Sequence, residues 1–201
     1  MLPTSIFAKP RPGPGSGGPS NGLTETPSVA FAARSIHTQR RMVMTHDNKV
    51  LAGGCVCSAV RYRLATAPMF VHCCHCRDCQ RQTGSGFAIN ALIETDRIDV
   101  VAGDLQAIAV PTDSGRPHRI FRCPSCQTAV WSEYGGVAAL RFVRVGTLDD
   151  ATAVQPDVHI YTRSKLPWVA LPEGVPAFDA YYDSAKLWPA ASLERRRAIF
   201  G

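Results

Sequence analysis

The stretch FVHCCHCRDCQRQTG, Phe70 to Gly84, places four cysteines and two histidines within eight positions. Thiolates one to three residues apart can converge on a single ion from a tight turn, because the turn's amides point at the sulfurs and offset their negative charge. Two more close pairs obey the same rule: Cys55-x-Cys57 upstream and Cys123-x-x-Cys126 downstream. Eight cysteines in 201 residues suit either a disulfide framework or metal and redox chemistry. The opening residues MLPTSIFAKPRPGPGSGGPS contain no continuous apolar segment of the kind a secretory signal uses, which weighs against disulfides. Buried free cysteine explains single residues, not three clusters. The pattern therefore predicts metal.

Spacing alone leaves the pairing open. Cys76, Cys79, Cys123 and Cys126 would form a four-cysteine zinc ribbon and make the protein a binding module. Joining Cys55 and Cys57 to Cys123 and Cys126 would instead close one tetrahedral site. Cys74, Cys76 and Cys79 would then be three ligands with a fourth position open, which is how catalytic zinc sites differ from closed structural ones.

Around these clusters the chain reads as short β-strands. AVRYRL puts Val60, Tyr62 and Leu64 on one face, and GFAINALI, RIDVV, QAIAV, HRIFR and VAALRFVRV follow, separated by turn signals such as PTDSGRP. Strands this short and numerous predict a mainly β domain, a sandwich of short antiparallel strands with one or two short helices. One helix is expected through DCQRQT with Gly84 as its stop, and another through SLERRRAIF after a Ser192 cap. Arg195 to Arg197 reads as a solvated helix face.

The expected organisation is a disordered, Pro-, Gly- and Ser-rich extension over residues 1–47, the folded domain over 48–183, and a helical tail over 184–201. Every apolar run is interrupted well short of the roughly 18 residues a membrane helix needs, so no membrane partner is expected. Residues 1–50 hold six basic side chains against two acidic ones, so +4 of the formal +6 lies there. The rest carries too little positive charge to indicate a nucleic-acid surface. The expected location is cytoplasmic, or mitochondrial if the Arg-bearing, acid-poor extension is a transit peptide.

Taken together, GGCVCSAVRYRL, VHCCHCRDCQRQTGSGFAI, FRCPSCQTAVW, VRVGTLDD and VHIYTRSKLPW resemble the glutathione-dependent formaldehyde-activating enzyme family, whose domain is shared with the centromere protein V family. The resemblance covers about Leu51 to Asp183. It implies a β-sheet domain built around zinc, similar to the Rab-binding exchange chaperones. It also implies two zinc ions per chain: a structural one on Cys55, Cys57, Cys123 and Cys126, and a catalytic one on Cys74, Cys76 and Cys79. Cys73 lies outside the family motif and reads as a packed thiol. Gln127 stands where the family usually has glycine.

A thiolate-rich site suits a fourth sulfur better than an activated water, since three thiolates already over-neutralise a doubly charged ion. The implied activity is that of a carbon-sulfur lyase, like an S-(hydroxymethyl)glutathione synthase: reversible addition of a glutathione-like thiol to a small aldehyde such as formaldehyde. The alternative is a non-enzymatic zinc module that binds protein or nucleic acid. Arg77, Gln80 and Arg81 are candidates for pairing with glutathione carboxylates. His75 should point away from the metal, and His159 reads as a hydrogen-bonded strand-end histidine. Trp131 and Trp168 read as core or pocket wall, and Asp149 and Asp150 as turn residues.

Overall fold

In a computed structural model that describes residues 51–201, the alternation at Val60, Tyr62 and Leu64 becomes a buried face, with all three side chains removed from water. The extension expected over residues 1–47 lies outside the described residues. Ten strands occur among the described residues: β1 (Leu51–Gly54), β2 (Arg61–Leu64), β3 (Phe70–Cys74), β4 (Ala88–Glu94), β5 (Ile98–Ala102), β6 (Gln106–Ala109), β7 (His118–Arg122), β8 (Ala129–Tyr134), β9 (Leu140–Arg144) and β10 (Val158–Ile160). The helices are α1 (Arg77–Thr83), α2 (Ser184–Leu187) and α3 (Ala190–Phe200). The class is mainly β with few short helices.

The strands form two sheets. One is antiparallel, in the order β1-β2-β5; the other has seven strands in the order β10-β3-β4-β9-β8-β7-β6. One pairing departs from the antiparallel expectation, because β10 runs parallel to β3, with His159 opposite Cys73. Tyr62 and Leu64 from the small sheet pack with Val71, Ile93, Trp131 and Val143 from the large one. Fully burying each such side chain contributes about 1.5–3 kcal/mol. Trp131 meets Tyr62 edge-on at 5.5 Å between ring centroids.

The other face of the large sheet is covered by the C-terminal segment, so β3 is buried along its whole length. Phe70, on this outer face, stacks on Trp188 at 5.0 Å. Trp188 Nε1 donates to the Tyr182 hydroxyl at 2.5 Å, and that hydroxyl is hydrogen-bonded to His72 Nε2 at 2.7 Å. Burial lowers His72 to about 4, so it is neutral at pH 7. Two expectations are corrected here. Ser192 does not cap α3; Pro189 stands at that position, and the buried Ser192 hydroxyl donates to the Met69 carbonyl at 2.7 Å. Arg195 is not simply solvated, since it grips Glu94 at the end of β4 through Nε at 2.7 Å and Nη2 at 2.5 Å.

The Glu94 clamp has a pH signature. Burial would raise its carboxyl, but the Arg195 hydrogen bonds and the charges of Arg195 and Arg97 hold it below the ordinary carboxylate range. A depressed folded value gives stabilisation that is complete above the unfolded value of about 4.3 and lost as pH falls through the folded one. Glu94→Gln should therefore destabilise the fold at pH 7 by about 1–3 kcal/mol. In urea unfolding, the gap from wild type should close once the pH is well below 4, roughly the ordinary carboxylate range; a gap of constant size would contradict the clamp.

The GTLDD segment, residues 146–150, ties the sheets together. Thr147 Oγ1 meets the Tyr62 hydroxyl at 2.8 Å and donates to the Arg144 carbonyl at 2.7 Å. The Asp149 amide donates to the Ala52 carbonyl of β1 at 2.9 Å, and its carboxylate accepts from both Arg61 Nη groups. A side chain at Gly53 would strike the Tyr62 ring, with Cζ at 2.6 Å, and the Thr147 carbonyl. Gly53→Ala should accordingly cost about 2–3 kcal/mol by overpacking, read as a lower thermal midpoint; an unchanged midpoint would show this seam to be loose.

Candidate metal centres and active site

Two turns bring the first group of donors together. Cys55 and Cys57 leave β1 in a turn whose Ser58 adopts a positive φ of 62°, and Val60 N donates back to Cys55 Sγ at 3.2 Å. Cys123 and Cys126 occupy the β7–β8 turn, where Gln127 sits at φ 60°. This is the left-handed conformation for which glycine is the usual residue; glutamine adopts it here while its side chain donates to the Pro124 carbonyl at 3.0 Å. The four sulfurs lie within 4.8 Å of one another. Cys55 to Cys57 is 3.4 Å and Cys57 to Cys123 is 3.8 Å. Tetrahedral zinc with sulfurs at 2.3 Å requires about 3.8 Å between them, so the donor set fits such an ion. Cys126, beside the Thr128 hydroxyl and amide, is lowered to about 5, which favours the thiolate a ligand must be.

The second group is built by the β3–α1 junction. Cys74 ends β3, Cys76 is the N-cap of α1, and Cys79 lies in its first turn, donating its amide to Cys76 Sγ at 3.4 Å. Gly84, at φ 64°, stops the helix and donates its amide to the Gln80 carbonyl at 2.8 Å. The three sulfurs lie within 4.8 Å of one another, and no fourth donor completes the group among the described residues. Cys74 is buried, whereas Cys76 and Cys79 are half-exposed. Hydrogen bonds from Cys74 and Cys79, aided by the Cys79 and Asp78 amides, lower Cys76 to about 2. Hydrogen bonds to Cys76 and Cys79, with burial and the charges of those two sulfurs, push Cys74 far above the ordinary thiol range. Three crowded sulfurs can all be thiolates only if a cation sits among them. The sulfurs of Cys76 and Cys79 join Cys74 and not Cys123 and Cys126, so the four-cysteine ribbon does not form.

A third group comprises Cys73, His75 and His159, all buried. His75 Nε2 lies 2.9 Å from His159 Nδ1 and 3.6 Å from Cys73 Sγ. Two nitrogens on one tetrahedral zinc would stand about 3.3 Å apart, whereas 2.9 Å is an ordinary hydrogen-bond length. The pair therefore reads as a neutral, hydrogen-bonded link between α1's leading turn and β10. Burial lowers both imidazoles, His75 to about 4, and raises the Cys73 thiol to about 12.

Other expected contacts are redistributed. Gln80 is buried and donates to the carbonyls of His75 at 2.7 Å and Ser164 at 2.8 Å, so it braces the loop and is not free for substrate. Arg77 bonds Gln80 Oε1 at 2.5 Å and, with Arg81, lines a shallow cleft that Trp168 overhangs. Trp168 is 72% exposed, which removes it from the core. Sequence reasoning missed Arg144: it is buried on β9 opposite Asn90, whose Oδ1 accepts from Nη1 at 2.5 Å. No local pattern marks such a pair, because its members are 54 residues apart.

The fold and these clusters define a small β-sheet domain with thiol groups placed to bind metal. Residues 50–164 match the model of the family described as glutathione-dependent formaldehyde-activating enzyme. The chain belongs to that family. Among solved structures, the crystal structure of a Rhodobacter sphaeroides protein, a structural genomics target, is 23% identical; the match covers 52% of this chain and 91% of that one, with a TM-score of 0.39. A comparison with curated protein sequences finds no match.

Proposed function

We propose that the protein is a zinc-dependent carbon-sulfur lyase that reversibly adds a glutathione-like thiol to a small aldehyde such as formaldehyde. The observation that carries the proposal is the convergence of Cys74, Cys76 and Cys79 on one point with no fourth donor among the described residues. Cys74, Cys76 and Cys79 would hold one zinc ion and Cys55, Cys57, Cys123 and Cys126 a second. At the three-cysteine position the ion would lower the pKa of a substrate thiol, about 8.5 when free, and so favour the thiolate near pH 7.

The remaining work falls to the chain. The uncatalysed addition is facile, so the site needs mainly to place the sulfur against the carbonyl carbon. As the carbon-sulfur bond forms, the carbonyl π pair moves to oxygen, which takes a proton; the reverse step returns both. The wall on the β10 side is held by Tyr161, whose positive φ of 57° is uncommon for an aromatic residue and marks a constrained loop beside the cluster. The Gln80 and Ser164 bonds to the His75 carbonyl, the latter at 3.0 Å, fix the turn that presents Cys74 and Cys76.

The direct test follows exchange between glutathione and its S-hydroxymethyl adduct by NMR. The metal-loaded full chain should accelerate exchange above the uncatalysed background. Equal rates with and without protein, across several thiols and aldehydes, would overturn the proposal.

A further inference from the structure

Arg144 carries a buried positive charge that no carboxylate among the described residues answers. The residue is 7% exposed, and among the described residues it makes no ion pair. Its Nη1 bonds the neutral Asn90 side chain, while Nε is buried without a partner. Other arginines here do meet buried carboxylates: Arg119 and Arg141 share Glu133, and Arg195 and Arg97 meet at Glu94. Holding a guanidinium out of water with one neutral acceptor is strongly unfavourable unless an anion completes it.

The place where that anion would sit is visible. Arg144 lines an open cleft of about 400 Å³ together with Gln82, Phe87, Ile89 and a second cation, Arg122. Gln82 and Thr83 belong to α1, the same helix whose first turn carries Cys79. Arg144 is also close enough for its charge to act on Cys79 and on His118. The cleft is of the size that small-molecule sites occupy, and the Nη end of the guanidinium can donate charge-assisted hydrogen bonds to a carboxylate there.

We infer that Arg144, with Arg122 at the rim, is the binding site for a carboxylate of the thiol substrate, so that the site selects thiols bearing a carboxylate over neutral ones. The inference deepens the proposed lyase reading and rests on it for the identity of the ligand. It moves the acid-recognising role from Arg77 and Arg81, on the other cleft, to a buried residue at the end of β9, opposite Asn90 of β4.

The test is calorimetric and needs no turnover. S-methylglutathione, which keeps both carboxylates but has no free thiol, is titrated into the metal-loaded full chain, alongside its dimethyl ester and inorganic phosphate. Wild type should bind S-methylglutathione at least about 10-fold more tightly than the ester, a difference of roughly 1.4 kcal/mol. R144Q should lose that preference, and R144K should recover only part of it, because lysine keeps the charge without the fork. Equal binding of acid and ester by wild type overturns the inference without recourse to any variant. So does an R144Q protein, melting like wild type, that retains the preference. Phosphate competing as well as S-methylglutathione would overturn the assignment to a substrate carboxylate in favour of a general anion site. If carboxylate selectivity holds while the NMR exchange shows no catalysis, the lyase reading falls and the binding site stands.

Discussion

Cys76→Ser should reduce the rate of thiol-aldehyde adduct formation by about 100- to 1000-fold after subtraction of the uncatalysed reaction, the effect of removing several kcal/mol of metal-derived activation. Cys76 is the residue on which the second cluster turns. It caps α1, its sulfur receives the Cys79 amide, and neighbouring thiols make it the most acidic of the three. Serine keeps the cap, because its hydroxyl can accept from the helix amides as well as a thiol does. The fold should therefore survive, with a thermal midpoint within a few degrees of wild type, while the soft donor is lost. A variant that keeps full activity would remove Cys76 from the chemistry. One that loses activity only by unfolding would leave the cluster a scaffold.

Cys123→Ala should act in the opposite way, through stability. Cys123 is fully buried at the meeting point of two turns that are distant in sequence, and Cys55, Val60 and Cys126 pack about it. If the four thiolates bind zinc, their affinity for it is folding free energy. Losing one ligand should cost about 3–5 kcal/mol, lowering the thermal midpoint by roughly 10–15 °C for a chain of this size. A strong chelator should reproduce the loss in wild type and add little in the variant. Cys73→Ala is the control, since Cys73 is almost as buried but belongs to neither four- nor three-cysteine group; trimming it should cost only about 1 kcal/mol. Equal losses from both substitutions, with no chelator effect, would make Cys123 an ordinary core thiol.

Most strands were legible because one of their faces meets water and leaves alternation behind, as at Val60, Tyr62 and Leu64. β3 was not, since the small sheet covers one of its faces and the C-terminal segment the other, and a strand buried on both sides shows no period of two. His159 was read at a strand end, but the parallel pairing of the three-residue β10 with β3 joins segments far apart in the chain, a crossover that leaves no local pattern. Ser192 looked like a cap because capping is judged from neighbours in sequence; its actual partner is Met69, 123 residues away.

The site divides along the same line. Cysteine spacing exposes the clusters because the donors of each turn are local. What sequence does not carry is the environment that tertiary packing adds: the His75–His159 link, the withdrawal of Gln80 into a structural role, and the unanswered charge of Arg144. Each joins residues from different elements, and none has a spacing to read.

Elemental analysis of the purified full-length chain, with Cys76→Ser measured beside it, tests the central claim most directly. The claim requires about two zinc ions per wild-type chain and about one in the variant, corresponding to one closed four-thiol site and one three-thiol site. One ion in both proteins would show that Cys74, Cys76 and Cys79 hold no metal, and the proposed lyase chemistry would fall with them.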